Sequence, residues 1–396
     1  TRLARLVPGE PRRASAALPL ELRCARVTPE ARAVHVGCEH ESRPLTTGEA
    51  FVFAELWHAD GEVVPRQRLA WAVSSRPEAY AGAGADFVAS TVPMGIDVGS
   101  GAIVIDADAT MTATAESRGG GFAGIANLTL FRPLATVDGA VRAALRDGVD
   151  VTAGSLSITA GDEADEARME AYARGFAVGV SFGVVVQDIA PTAVTNGVVE
   201  AFLGAATDRA DGGDPAAQID LSGAGPLTVQ AFSDIDATAR VEGGAGALAV
   251  TVNAYRPTAE AGGATRAFAG GGIDLQGPDL RLLADGDAMS DATLFSLSLA
   301  GAAAVNVLKP TARTNNEVEA YLGHNRLSTS SDPVDIEIGG SVDIDAVADS
   351  VANATSTGVA VAAAAGVSDV ESEATLAGGT RAYVGPNTTV TAVNVD

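Results

Sequence analysis

Apolar and polar residues alternate with a period of two over most of the chain that follows residue 77. Between Ile105 and Glu116, every odd position is Ile, Ala or Met and every even position is Asp, Thr or Glu. The alternation returns between Asp234 and Glu242. Successive side chains of a β-strand point to opposite faces, so this period indicates half-buried strands, and the frequent glycines mark turns between them. No long segment has a period of 3.6, so the sequence predicts an all-β fold.

A short strand with a central alanine recurs six times and gives the repeat of the chain. The alanines recur at intervals of roughly 60 residues. Their positions are Ala79, Ala143, Ala201, Ala267, Ala320 and Ala382. A fixed unit with loops of variable length predicts an elongated β-solenoid or β-helix-like array over residues 77–396. Residues 1–76 hold both cysteines and both tryptophans, and we expect them to form a separate small β unit or cap.

Charged and aromatic residues flank the central alanine of each repeat. The preceding residue alternates in sign along the chain: Glu78, Arg142, Glu200, Arg266, Glu319 and Arg381. Opposite charges on neighbouring strands stabilise a sheet, so the alternation predicts parallel, in-register stacking of the repeats. The following residue is aromatic in five repeats, with Ala144 in the sixth: Tyr80, Phe202, Phe268, Tyr321 and Tyr383. This aromatic ladder is either ordinary packing or, if exposed, a surface that binds glycan or protein.

The chain is strongly acidic, with a formal net charge of −24 and Lys309 as its single lysine. This charge repels phosphate backbones and argues against a nucleic-acid partner, although a halophilic source would give the same bias. Carboxylates that follow the repeated strands are candidate calcium ligands: Asp108, Asp162, Asp234, Asp285, Asp287 and Asp349. A solvated polar face is the alternative, because none of them matches the GGxGxDx calcium motif. We expect no other cofactor.

Other chemical motifs are sparse. Cys24 and Cys38 lie on either side of a turn at Pro29, which makes them candidates for a cross-strand disulfide in an oxidising compartment. The repeats contain one histidine, His324, and no G-x-S-x-G motif, so we expect no catalytic residues and no enzyme activity. No run of 18 apolar residues exists, so we also expect no membrane insertion.

The repeat texture, seen in TRAYVG and GSLSITA, resembles long bacterial β-strand-repeat exoproteins such as giant adhesins and filamentous-haemagglutinin-like proteins. The resemblance covers residues 77–396 and implies an extracellular or cell-surface location. Residues 1–76 depart from it, because they carry no secretion-domain signature.

These observations predict a non-catalytic scaffold or spacer that associates with itself, end to end or laterally, through repeat stacking. The alternative is an adhesin that binds glycan or the surface of a host or neighbouring cell through an exposed aromatic ladder. A polysaccharide-cleaving enzyme on a β-helix is a remote third hypothesis. The last repeat stops inside its two-strand phrase after Ala382, so we expect the array to continue beyond this sequence.

Overall fold

The structure, a computed structural model, describes residues 102–395 apart from 146–148, 162, 164–165, 205–216, 222–224, 271–272, 277–278 and 328–333, together with seven earlier strands. These strands are Val7–Pro8 (β1), Arg23–Thr28 (β2), Ala33–Glu41 (β3), Ala50–Trp57 (β4), Val63–Val73 (β5), Glu78–Ala81 (β6) and Met94–Asp97 (β7). The first repeats then contain Ala102–Ala123 (β8), Ala126–Phe131 (β9), Leu134–Leu145 (β10), Val149–Ala153 (β11), Ser155–Ala160 (β12), Ala167–Ser181 (β13), Val184–Ile189 (β14), Thr192–Leu203 (β15) and Ala217–Leu221 (β16).

The later repeats follow the same order of elements. Their strands are Leu227–Ala247 (β17), Val250–Tyr255 (β18), Thr258–Ala269 (β19), Ile273–Gln276 (β20), Leu280–Ala300 (β21), Ala303–Leu308 (β22), Thr311–Leu322 (β23), Val334–Glu337 (β24), Ser341–Ala362 (β25), Ala365–Val370 (β26), Glu373–Val384 (β27), Thr388–Thr391 (β28) and Asn394–Val395 (β29). Every regular element in the described part of the chain is a strand, which confirms the all-β prediction.

Strands from successive repeats pair side by side, and the described pairs from β6 onward are all parallel. The longest strands belong to a broad sheet with the order β2, β3, β8, β12, β17, β21, β25 and β29. β13 follows β12 along the chain and, like β12, pairs with β8 on one side and β17 on the other. The facing sheet runs β6, β10, β15, β19, β23 and β27, and a third sheet contains β9, β14, β18, β22 and β26. The shortest strands form two small sheets, β7, β11, β16 and β20, and β24 with β28.

The facing sheet places the six central alanines in one row. Ala143 lies opposite Ala79 on one side and Ala201 on the other, and the row continues through Ala267, Ala320 and Ala382. A proline, which has no N–H to donate, precedes the facing strand in four units: Pro133, Pro191, Pro257 and Pro310. It suits this corner, where the chain leaves one sheet and enters the next.

The first part of each long strand and the facing sheet enclose the main hydrophobic core, which we call the body. Ile105, Ile158, Val229 and Leu282 point into it from the broad sheet, and small residues fill most of the remaining positions. Alanine and valine on both inner faces keep the two sheets close together, and close-packed small residues leave few voids. The body therefore has a thin apolar interior and, on the broad sheet, an outer face rich in Asp, Thr and Arg.

The second part of each long strand continues past the body and packs against the third sheet. We call this two-layered extension the fin; its segments are 116–131, 174–189, 240–255, 293–308 and 355–370. Glycines on the inner face of the broad sheet receive large side chains from the opposite layer. A Cβ at Gly243 would lie 2.2 Å from the Tyr255 hydroxyl, and one at Gly175 would lie 2.3 Å from Ile189. These glycines are therefore required by the close approach of the two layers.

Each long strand extends further than the described stack of long strands is deep. β17 contains 21 residues, which corresponds to about 70 Å of extended chain, whereas the four strand spacings from β8 to β25 amount to about 19 Å. The elongated array stays a prediction.

The N-terminal strands belong partly to the same sheet system. β3 pairs in parallel with the start of β8, from Val34 opposite Ile103 to Glu41 opposite Thr110. β4 and β5 form an antiparallel pair, to which β1 adds.

Candidate functional site

The charged residues next to the central alanines form a continuous ladder on the facing sheet. The register places Arg142 opposite both Glu78 and Glu200, and Arg266 opposite both Glu200 and Glu319. Arg142 Nε lies 2.7 Å from Glu200 Oε2, and Arg266 Nη1 lies 3.0 Å from Glu200 Oε1. Each internal residue of this charge ladder is thus held between two residues of opposite sign, as parallel stacking requires.

Glu319 is the most buried member of the charge ladder, with a side chain that is 1% exposed. Arg326, in the loop after β23, donates from Nε to Glu319 Oε1 at 2.9 Å, and Arg266 and Arg381 approach the same carboxylate at 3.5 and 3.6 Å. Burial lowers the pKa of Arg266, but interactions with Glu200, Tyr321 and Glu319 together raise it above its ordinary value. A buried carboxylate among three guanidinium groups ties the loop to the sheet.

The aromatic ladder runs parallel to the charge ladder and is a stack of rings. Phe202, Phe268, Tyr321 and Tyr383 stack face to face, with ring centroids 4.9, 4.8 and 5.1 Å apart. The first three are 1–3% exposed. The Tyr383 hydroxyl accepts a hydrogen bond from the Arg326 backbone N–H. Tyr80 lies opposite Ala144 in the register, and its side chain is outside the described residues. The burial favours packing over a free binding surface.

Three of the candidate calcium ligands lie in one row on the outer face of the broad sheet. Asp287 is opposite Asp234 on one side and Asp349 on the other, and the row continues through Arg168 and Thr110. Asp285 lies two residues before Asp287, and the register places it opposite Phe232 and Val347 instead. Asp108 lies opposite Glu39, and Asp162 is outside the described residues.

A loop between β12 and β13 adds further carboxylates to this row. The loop begins at Gly161, whose φ is +67° and where a Cβ would lie 2.4 Å from the Phe232 carbonyl oxygen. Burial raises the pKa of Glu166 to about 7, and the carboxylates of Asp287, Asp234 and Asp285 add to the rise. Burial likewise raises the pKa of Asp236 to about 6, with Asp234 contributing and Arg168 opposing.

The calcium ligands in the acidic row stay a prediction. Among the described residues, no group of three or more His, Cys, Asp or Glu side chains is arranged to hold a metal ion. The described part of the chain also contains no helix long and apolar enough to cross a membrane.

The two cysteines occupy paired positions at the N-terminal end. β2 and β3 are antiparallel, and their register places Cys24 opposite Cys38. Their side chains lie outside the described residues, so the disulfide stays a prediction.

A row of buried amides inside the fin was not recognised in the sequence. Gln187, Asn253 and Asn306 are in register on the third sheet and are fully buried. Asn253 Nδ2 donates to the hydroxyls of Ser296 and Ser298 across the fin, at 3.2 and 2.8 Å. Buried amides are tolerated where they have partners, so these bonds fix the pairing of the two layers.

The outer surface of the fin is apolar, and this feature was also missed. Val178 and Val180 are 44% and 43% exposed on one face, and Phe182 and Leu248 are 60% and 67% exposed at the turns between the layers. The sequence signal is an alternation of small with large residues, as in 175–180, where Gly, Ala and Gly face inward and Phe, Val and Val face outward. Such a pattern is easily mistaken for a fully buried strand.

Comparisons with known proteins give no family for this chain. No family model, no curated protein and no solved structure matches it.

Proposed function

We propose that this chain is a β-solenoid with one coil of about 60 residues per sequence repeat, and that it serves as a non-catalytic scaffold that associates with itself. The observation that carries the proposal is the charge ladder, in which each pair joins equivalent positions of adjacent repeats. Arg142 and Glu200 are 58 residues apart, and Glu200 and Arg266 are 66 residues apart. Loops of different length absorb the difference while the strands keep their register.

A scaffold role agrees with where the side-chain interactions lie. The charge ladder, the aromatic ladder and the buried amides all run along the stacking direction, so each repeat is held chiefly by its neighbours. The aromatic rings that an adhesin would use for glycan stacking are largely buried. We therefore favour the scaffold over the adhesin. A location outside the cell or on its surface is what the resemblance to bacterial β-strand-repeat exoproteins implies.

The final repeat supports the proposal that copies stack end to end. Leu376 belongs to the same inward row as Val137 and Thr314, and Val370 belongs to the same inward row as Leu308. Nevertheless, Leu376 is 59% exposed and Val370 is 49% exposed. Both lie at the edge of the stack, where backbone N–H and C=O groups are also free to pair. A second copy that added its strands in parallel, as a further repeat does, would cover both residues.

Light scattering and negative-stain microscopy of the purified chain test this proposal. We expect filaments or short stacks that grow with protein concentration and that widen little as they lengthen. The double substitution Leu376→Lys and Val370→Lys places charges in the edge rows, where they are solvated in a single copy but buried in a stack. It should therefore yield single copies. Leu327→Lys, at a more exposed loop position, is the control and should leave stacking unchanged.

A wild-type chain that stays a single copy at high micromolar concentration would contradict self-association. Stacks that persist in the edge variant would place the contact elsewhere.

A further inference from the structure

The fin has an apolar outer surface on both layers and at its tip. Val178 and Val180 point outward from the broad sheet, Val184 and Val186 point outward from the third sheet, and Phe182 lies at the turn between them. In the other units, the equivalent outward positions of these four valines are occupied by Val, Leu, Ala, Phe or Gly. An exposed apolar surface that is continuous over several strands marks an interaction site in a soluble protein.

Charged residues first occur at the same level on both layers, in two of the five units of each layer. On the broad sheet they are Arg118 and Glu242, each six residues before the first residue of the following turn. On the third sheet they are Asp188 and Asp369, each six residues after the first residue of the preceding turn. Asp188 is bound by Arg256 at 2.7 Å, and Glu242 is bound by Arg174. The apolar band is therefore about 15–20 Å deep. One hydrocarbon leaflet of a bilayer, half of its core, is about 15 Å thick.

The shape of one fin is a poor match for a single protein partner. Its two faces point in opposite directions, and each covers about 400 Å², from five strands and about six residues of depth. A stable protein interface buries about 800 Å² on each partner. A second copy packed on one face would leave the other face and the tip in water, whereas a fluid apolar phase covers all three.

The tip also carries a groove of a kind that suits hydrocarbon. A cavity of about 330 Å³ runs across neighbouring units, and its walls include Phe122, Val180, Phe182, Leu248, Leu299 and Val361. Phe122 packs edge-on against Phe182, with ring centroids 5.5 Å apart. No charged residue lines this groove.

We propose that the fin is a lipid-binding wedge that inserts into one leaflet of a neutral lipid surface as far as its charged base. Inside the fin, Asn253 and Asn306 bind serines across the two layers, whereas Asn253 Oδ1 and Thr251 Oγ1 have no partner. Among the described residues the outermost fin strands have open main-chain edges, and the end-to-end stacking proposed above would pair them before insertion. The proposal rests on the proposed function at this point. The net charge of −24 opposes approach to anionic lipid, which selects neutral headgroups. The acidic body would remain in water. The proposal departs from the expectation of no membrane insertion, which depended on contiguous apolar runs.

Flotation of the full chain with phosphatidylcholine vesicles tests the proposal. We expect binding that persists in high salt, because burial of apolar surface drives it. The tip variant Phe182→Asp with Leu248→Asp should reduce the bound fraction by about tenfold or more. Leu327→Asp with Val347→Asp, two exposed apolar positions outside the fin, is the matched control and should bind like the wild type.

The depth of insertion is measured with an environment-sensitive dye on a single introduced cysteine, in a background with Cys24→Ser and Cys38→Ser. A dye at Ile125→Cys, at the fin tip, should shift to the blue with vesicles, and a dye at Glu163→Cys, beside the acidic row, should not. No flotation, or equal flotation of the tip variant, would overturn the proposal. The proposal would also be overturned if the wild type forms oligomers, the tip variant does not, and vesicles bind neither protein. The fin would then bind a second copy.

Discussion

The body and the fin are built from the same long strands, yet they place polar and apolar residues on opposite sides. In the body, Ile235 and Ala237 face inward and Asp234 and Asp236 face outward. In the fin, a few residues further along equivalent strands, Ser296 and Ser298 face inward while Phe295 and Leu299 are about half exposed. The same strands therefore have an apolar inner face in the body and a partly polar inner face in the fin.

The difference shows what each region uses for cohesion. The body buries alanine, isoleucine and leucine and is held together mainly by the hydrophobic effect. The fin has little apolar volume between its layers near the tip, so cohesion there depends on amide–hydroxyl bonds and on glycines that admit large side chains. The body also contains the buried carboxylate of Glu319 in its charge ladder, so it should respond to loss of charge pairing there. The fin should respond to small increases in volume.

The largest expected effect comes from breaking the charge ladder in the body. Glu319→Gln leaves three arginines around a neutral amide and should lower the free energy of unfolding by about 3 kcal/mol, because one partner of a buried ion pair is removed. Chemical denaturation followed by circular dichroism measures this change. Glu371→Gln removes an exposed partner of Lys309 and should leave the denaturation midpoint unchanged. Equal effects of the two substitutions would mean that the ladder is solvated.

A second test adds one methyl group to the fin. Gly243→Ala directs a Cβ at the Tyr255 hydroxyl, which also donates a hydrogen bond to Gln187, and should cost about 2 kcal/mol of unfolding free energy. Gly246, three residues later on the same strand, has no atom within 4 Å of its Cβ position. Gly246→Ala should change stability by less than about 0.5 kcal/mol. If both substitutions are neutral, the two layers of the fin are not in contact as described.

The smallest effect concerns the acidic row outside the body. Because the folded pKa of Glu166 is about 7 and its ordinary value is 4.5, the folded chain binds more protons than the unfolded chain between these values. Stability should therefore fall as pH rises through this window, and Asp236 adds to the same trend up to its pKa of about 6. Partial exposure limits the loss to about 1 kcal/mol or less.

Thermal denaturation from pH 4 to pH 8 measures this trend, which Glu166→Gln should flatten and added salt should reduce. A rise in stability over the same range would contradict the crowding of carboxylates on this face.

The sequence predicted much of the body and little of the fin. Alternating polarity around Ala107 and Ala237 identified the strands, and the charges beside Ala143 and Ala201 indicated their parallel order. The fin was not predicted because its inward positions include Gly179 and Ser298, residue types that are typical of turns or of the surface. The fate of an outward Val or Phe depends on whether another sheet covers it, which local sequence does not encode. The burial of the aromatic ladder likewise depends on contacts made far along the chain.

Parallel, in-register stacking of one repeat on the next is the central claim, and spin-label distances test it most directly. In the Cys24→Ser and Cys38→Ser background, labels at Arg313→Cys and Thr375→Cys should show strong dipolar broadening, because these outward positions are paired on adjacent strands. Labels at Thr136→Cys and Thr375→Cys, at the two ends of the same row, should be separated by four strand spacings, about 19 Å between backbones. Absence of broadening in the first pair, or a distance well above this range in the second, would contradict the stacked arrangement.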